Sequence, residues 1–338
     1  MIFFSEVFDD MINKRRSLSK GARKVKRRLK IILASVVAFL VTILIFIGNY
    51  FYGESVKRGS EVELHREAET VDATADADGE SVLDTAKKWY SEQNPVRLTQ
   101  EAYDGLILQA DYIENEDTSQ KAVILVHGFR KEKADMGDYT KFYYDRGYNI
   151  LMPDSRGHGE SEGEYYGYGW HDRLDLIGWI DQLITDYGVE EIVLHGNSAG
   201  AAAVLMTSGE ELPDEVKAII ADSGYTTMKE ELKHQLKHLY GLPSFPLLDI
   251  TSLITKVRAG YFFGEVSAIE QVKNNKLPIY IIHGDADDLV PTWMGEEIYE
   301  AAGGEKEFWL VPDVGHIKAY EIETIEFEKR IDEFLSKI

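Results

Sequence analysis

From about Ser81 to the carboxyl end, short apolar runs alternate with longer segments whose apolar residues recur every three or four positions. The short runs are "AVILVHG" (122–128), "YNILMPD" (148–154), "EIVLHG" (191–196), "VKAIIADS" (216–223), "LPIYIIHG" (277–284) and "EFWLVPD" (307–313). Each is dense in Ile, Val and Leu at successive positions, so both faces of the strand must be covered. The longer segments have helical spacing, as in 170–187, where Trp170, Leu174, Ile177, Ile180 and Leu183 share a face, and again in 320–338. This alternation predicts an α/β fold with a mostly parallel central sheet flanked by helices. Residues 96–113 read as a leading antiparallel hairpin. Residues 226–264 are helical without a strand, which predicts a short helical lid inserted at the strand ends.

The amino end follows a different pattern. Residues 1–30 carry ten Lys/Arg against three acids, and the run Ile31–Gly48 then has no charge at all. Eighteen residues at 1.5 Å each span about 27 Å, close to the hydrocarbon thickness of a bilayer. Tyr50, Phe51 and Tyr52 supply aromatic residues at the exit. The expected organisation is a basic cytoplasmic segment (1–30), a transmembrane anchor (31–52), an acidic tether (53–80) and a folded domain (81–338). Under the positive-inside rule this is a single-pass protein of the cell membrane, with the folded domain outside the cytoplasm. A cleaved signal peptide fits less well, because the run is long and no A-x-A-like site follows it. A buried core helix fits poorly beside ten cations.

Composition narrows the chemistry. Apolar residues make up 44% of the 338, enough for a real core, and the net charge of −22 repels phosphate backbones. Nucleic acid is therefore not an expected partner. With no cysteine, a thiol nucleophile and a Cys-ligated metal are excluded. His234 and His238 have the i, i+4 spacing of helix-borne metal ligands, but no HExxH glutamate or third ligand accompanies them, so no metal or cofactor is expected.

In an open parallel sheet, function gathers outside the carboxyl ends of the strands. Chemically useful residues fall there five times, in "HGF" (127–129), "DSRGHGES" (154–161), "HGNSAG" (195–200), "HGDADD" (283–288) and "PDVGH" (312–316). A bare G-x-S-x-G arises by chance in about one chain in ten of this length, so Ser198 needs the other four. It directly follows a strand and opens "AGAAAVLM", as a nucleophile on a tight strand-to-helix turn would. The residues two before and two after such a serine pack together, which makes Gly196 and Gly200 a steric requirement. Of the nine histidines, His316 follows the last strand beside Gly315 and can reach over the site as base. His127, His195 and His283 precede glycines at strand ends and are expected to pack into or beneath it. A carboxylate must then fix the tautomer of the base. Asp285, Asp287 and Asp288 are the candidates, with the central Asp287 preferred.

In chain order these are Ser, Asp, His. The chain thereby resembles the α/β-hydrolase superfamily over residues 81–338, and within it the bacterial serine hydrolases of esterase-like and peptidase-like kind that carry a single membrane anchor. The resemblance implies Asp287 as the acid, from the pattern HG-x-x-D-x-x-V-P. It implies Phe129 and Ala199 as backbone N–H donors of an oxyanion hole. The expected activity is cleavage of a small-molecule or lipid-like acyl ester through an acyl-enzyme. The alternative is peptide or amide cleavage by the same triad, and a non-catalytic binding protein is disfavoured by the presence of all three residues. Arg156–Ser161 is expected to shape the sheet edge rather than react. Tyr225, Phe245, Tyr261, Phe262 and Phe263 are expected mainly to pack, with an acyl pocket as the alternative.

Overall fold

The computed structural model describes residues 2–59, 82–117 and 120–338, with side chains from residue 23 onward. Two units are distinguished, Met1–Tyr50 and Phe51–Ile338. The first consists of most of one long helix, α1 (Ile2–Ser55), and the stretch Arg23–Ser55 is long and apolar enough to cross a membrane.

In the second unit, helix α2 (Val82–Glu92) precedes strands β1 (Val96–Glu101), β2 (Ile107–Ile113) and β3 (Lys121–Val126). Helix α3 (Gly137–Tyr144), β4 (Asn149–Pro153), α4 (Asp172–Tyr187), β5 (Glu191–Asn197), α5 (Ala199–Thr207) and β6 (Val216–Asp222) follow. Two lid helices come next, α6 (Met228–Tyr240) and α7 (Leu247–Ala259), and then the short α8 (Ala268–Gln271). The chain closes with β7 (Ile279–Gly284), α9 (Thr292–Ala301), β8 (Lys306–Val311), α10 (Ala319–Ile322) and α11 (Thr324–Leu335). The eight strands form one sheet in the order β1-β2-β4-β3-β5-β6-β7-β8. Only the β1–β2 and β2–β4 pairs are antiparallel, as expected of a leading hairpin on a parallel sheet.

The two-sided apolar runs have their reason in β3. Ala122, Ile124 and Val126 enter the core beneath α4, α5 and the lid, while Val123 and Leu125 enter the core beneath α3 and α11. Alternate residues go to opposite faces, and both faces are roofed by helices. Helix α4 stops at Gly188 in the left-handed conformation, with φ of 65°. Helix α6 is capped by Thr227, whose side chain accepts from Glu230 N–H, and it stops at Gly241.

The structure changes the expected boundaries in two places. The polar composition of 53–80 reads as a tether, yet Val56 is fully buried and Tyr52 nearly so, both in the core beneath the lid. Lys57 pairs with Tyr165 as an antiparallel bridge, and the Arg58 guanidinium donates to the carbonyls of Gly159 (2.6 Å) and Ser161 (2.7 Å). Gly53–Gly59 is thus bound to the folded unit, and the rest of the expected tether lies outside the described residues. The helical pattern of 320–338 is also split, because the backbone leaves helical geometry at Glu323.

Candidate active site

The carboxyl edge of the sheet gathers the strand-end motifs around Ser198. β5 ends at Asn197 and α5 begins at Ala199, so Ser198 carries the whole reversal, at φ 56° and ψ −115°. A non-glycine residue in that region is strained, and the surroundings must hold it there. Part of the hold is steric compression. A Cβ on Gly196 would lie 2.2 Å from the Gly200 carbonyl oxygen, and one on Gly200 would lie 2.1 Å from that of Val126. No side chain fits at either position. Asn197 is buried and donates to the Tyr139 hydroxyl at 2.9 Å, tying the turn to α3.

His316 sits in the loop after β8. Its Nε2 lies 2.8 Å from Ser198 Oγ and its Nδ1 lies 2.7 Å from Asp287 Oδ2. Asp287 is buried, and its second oxygen accepts from the N–H groups of Leu289 (3.0 Å) and Val290 (2.9 Å). The other two candidate acids are exposed. Asp285 accepts from Asp313 N–H at 2.6 Å and so braces the histidine loop, whereas Asp288 offers its carbonyl to His234 at 2.8 Å. The acid and histidine loops approach closely because a glycine lies between them. A Cβ on Gly284 would stand 2.0 Å from the Val314 carbonyl oxygen.

Burial opposes the charge on Asp287, but hydrogen bonds with His283 and His316 outweigh it and hold the carboxyl well below the usual range. His283 is the second neighbour, with Nε2 2.9 Å from the Val290 carbonyl and 3.3 Å from Asp287 Oδ2. Burial disfavours its charged form, yet contact with Asp287 raises its pKa above the ordinary value. His127 lies beneath the other side of the site. Its Nε2 accepts from Ser155 N–H at 3.0 Å, which leaves its Nδ1–H to donate to the Gly128 carbonyl at 2.7 Å. His195 is buried against Tyr143 Oη at 2.9 Å, away from Ser198. His283 and His127 fasten loops, and His195 ties β5 to α3.

The "HGF" turn abuts the serine, since the Cβ position of Gly128 lies 3.3 Å from Ser198 Cβ. Phe129 follows, packing edge-to-face on Tyr166 at 4.7 Å. Ala199 is the first residue of α5, so its N–H has no acceptor within the helix. Both N–H groups therefore belong to backbone beside Ser198.

An apolar cavity opens onto Ser198, Ala199 and Phe129. Leu232, Leu236, Leu239 and Tyr240 of α6 and Leu248 of α7 are among its apolar lining residues. Of the aromatic candidates, Tyr225 lines it, while Tyr261 and Phe263 are core residues and Phe245 is exposed. Two contributions had no signal in the sequence pattern. Phe51, Glu54 and Ser55 at the end of α1 line the cavity, and so do the buried Glu231 and Gln235. Glu231 accepts from Gln235 Nε2 at 3.0 Å, and burial pushes its carboxyl up to about 8.

The fold is that of the α/β-hydrolase superfamily, and the chain is a hydrolase of that type. It belongs to the prolyl oligopeptidase family, whose model matches residues 134–338. The uncharacterized protein YqkD of Bacillus subtilis is 29% identical over 235 residues, which cover 69% of this chain and 77% of that protein. The lysophosphatidylserine lipase ABHD12 of Macaca fascicularis is 29% identical over 241 residues, covering 67% of this chain and 58% of that protein. Among solved structures, the Pyrococcus furiosus esterase Pf2001 superposes with a TM-score of 0.61 at 24% identity, covering 80% of this chain and 99% of that one.

Proposed function

We propose that this chain is a membrane-anchored serine hydrolase that cleaves acyl esters, with Ser198 as nucleophile, His316 as general base and acid, and Asp287 as the orienting carboxylate. The reading is carried by one observation, the unbroken hydrogen-bonded chain from Ser198 Oγ through His316 to Asp287 at 2.8 and 2.7 Å. His316 Nε2 takes the serine proton as Ser198 Oγ attacks the ester carbonyl, and Asp287 stabilises the imidazolium that forms. The N–H groups of Phe129 and Ala199 receive the oxyanion, each worth about 10²–10³ in rate. His316 then protonates the departing alcohol. Water, deprotonated by the same histidine, releases the acid and restores the serine.

The apolar cavity supports an acyl chain as the group recognised, in keeping with the lipase named among the relatives. The anchor would be α1, with its basic end in the cytoplasm. Family membership favours a second reading, peptide or amide cleavage by the same triad. A fluorophosphonate probe should label the wild type and leave Ser198→Ala unlabelled, and equal labelling would remove Ser198 as nucleophile. Turnover of p-nitrophenyl esters beside aminoacyl anilides separates the readings, since faster anilide cleavage would reverse the preference.

A further inference from the structure

The cavity has a wall that does not come from the sheet or the lid. Phe51, Glu54 and Ser55 form one face of the last turn of α1, and all three line the space that opens on Ser198. The turn is fixed in place. Carbonyl groups in the final turn of a helix lack intrahelical donors. Here the Glu54 carbonyl accepts from Arg130 Nη2 at 2.8 Å and the Ser55 carbonyl accepts from the Tyr168 hydroxyl at 2.6 Å. Arg130 follows Phe129 in the chain and Tyr168 packs on the Phe129 ring at 5.0 Å, so the turn is docked on residues that flank the proposed oxyanion donor.

The cavity is lined along most of the length of α6. Its lining residues there run from Glu231 to Tyr240 along one helix face, about 14 Å at 1.5 Å per residue. The first half of α6 lies against the acid loop, where His234 Nε2 is 2.8 Å from the Asp288 carbonyl and Gln235 Nε2 donates to the Leu289 carbonyl at 2.6 Å. At the other end Tyr240 meets Phe51 edge-to-face, with ring centroids 5.5 Å apart. The ring pair therefore stands at the end of this lining face away from the acid loop. In sequence, this wall begins three residues after the apolar run Ile31–Gly48 ends.

Resting on the proposed esterase reading, we infer that the last turn of α1 is a specificity element of the substrate site, with Phe51 as the end stop of an acyl channel and Ser55 in its side wall. The anchor segment then does more than hold the enzyme at a membrane. It measures the acyl chain, and the substrate class is a medium-length fatty acyl ester.

The test uses the full-length protein in detergent micelles and a series of p-nitrophenyl butyrate, laurate and palmitate. Phe51→Ala removes the stop and should raise the palmitate-to-laurate ratio of kcat/KM by about tenfold. Ser55→Phe narrows the wall and should lower the laurate-to-butyrate ratio by about tenfold, mainly through KM. Both readouts are ratios within one preparation, so a variant that folds in part still reports. Unchanged ratios in both variants, or shifts toward the same chain length, overturn the inference while the esterase reading stands. A wild type that cleaves none of the esters overturns both.

Discussion

Two clusters of buried charge stand at the carboxyl edge of the same sheet, and they are built to opposite ends. Beyond β4, Arg156 is fully buried and grips Asp175 with two hydrogen bonds, Nε at 2.7 Å and Nη2 at 2.6 Å, while Nη1 reaches Asp104 at 2.8 Å. Beside it Asp154, also fully buried, accepts from Lys133 Nζ (2.6 Å), Lys133 N–H (2.8 Å) and Glu160 N–H (2.9 Å). Beyond β7 and β8, Asp287 holds His316 against Ser198. Both clusters satisfy a buried carboxylate with a base. A guanidinium cannot release its proton, whereas an imidazole can. Burial disfavours the Arg156 cation, but its bonds to Asp175 and Asp104 raise its pKa further above the ordinary value. The first cluster is a fixed brace for the loop 154–161. The second, on the proposed reading, is a route for a proton.

The largest expected effect separates the acids of the second cluster. Asp287→Asn keeps the shape and removes the charge and the tautomer control, so kcat/KM should fall about 10⁴-fold. Asp285→Asn, which disturbs only the brace to Asp313, should cost far less. Steady-state ester hydrolysis by the two variants decides it, and a larger loss in Asp285→Asn would mean that the acid is misassigned.

The first cluster should respond in stability instead of rate. Arg156→Met leaves Asp175 and Asp104 without their partner, and breaking a buried pair from one side costs about 3–5 kcal/mol. Urea unfolding should show that loss, while the folded fraction keeps its turnover. A variant that stays stable but loses turnover would move the first cluster into the chemistry.

What could be read from the sequence follows the same division. Each strand and each reactive loop announces itself within about ten residues, because local sterics write the pattern. Gly196 and Gly200 must be glycines for backbone to touch backbone, and the apolar runs must be two-sided to sit between helix layers. The pocket wall leaves no such trace. Glu54 finds Arg130 across 76 positions, and Arg58 finds Ser161 across 103. Nothing near Gly53–Gly59 distinguishes a docked segment from a solvated one, so its polar composition reads as tether. The lid helices were visible as amphipathic segments, but the pairing of Glu231 with Gln235 inside the cavity was hidden, since an i, i+4 pair of polar residues ordinarily faces water.

Glu231 sharpens the comparison as a third kind of buried carboxyl, with neither arginine nor histidine beside it. Burial raises its pKa, the charge on Asp287 adds to this, and the hydrogen bond from Gln235 only partly offsets it, giving about 8 against an ordinary 4.5. The folded state therefore holds a proton that the unfolded chain releases. Its contribution to stability is full below about 4.5 and is lost as pH rises through about 8. Glu231→Gln keeps the shape and removes the titration. Between pH 5 and pH 9 its urea midpoint should fall less than that of the wild type, with the difference widening toward pH 9. Parallel curves would mean that the carboxyl is already ionised in the folded protein. In that case the apolar cavity beside Ser198 would carry a negative charge, which would favour substrates with a cationic group over neutral acyl esters.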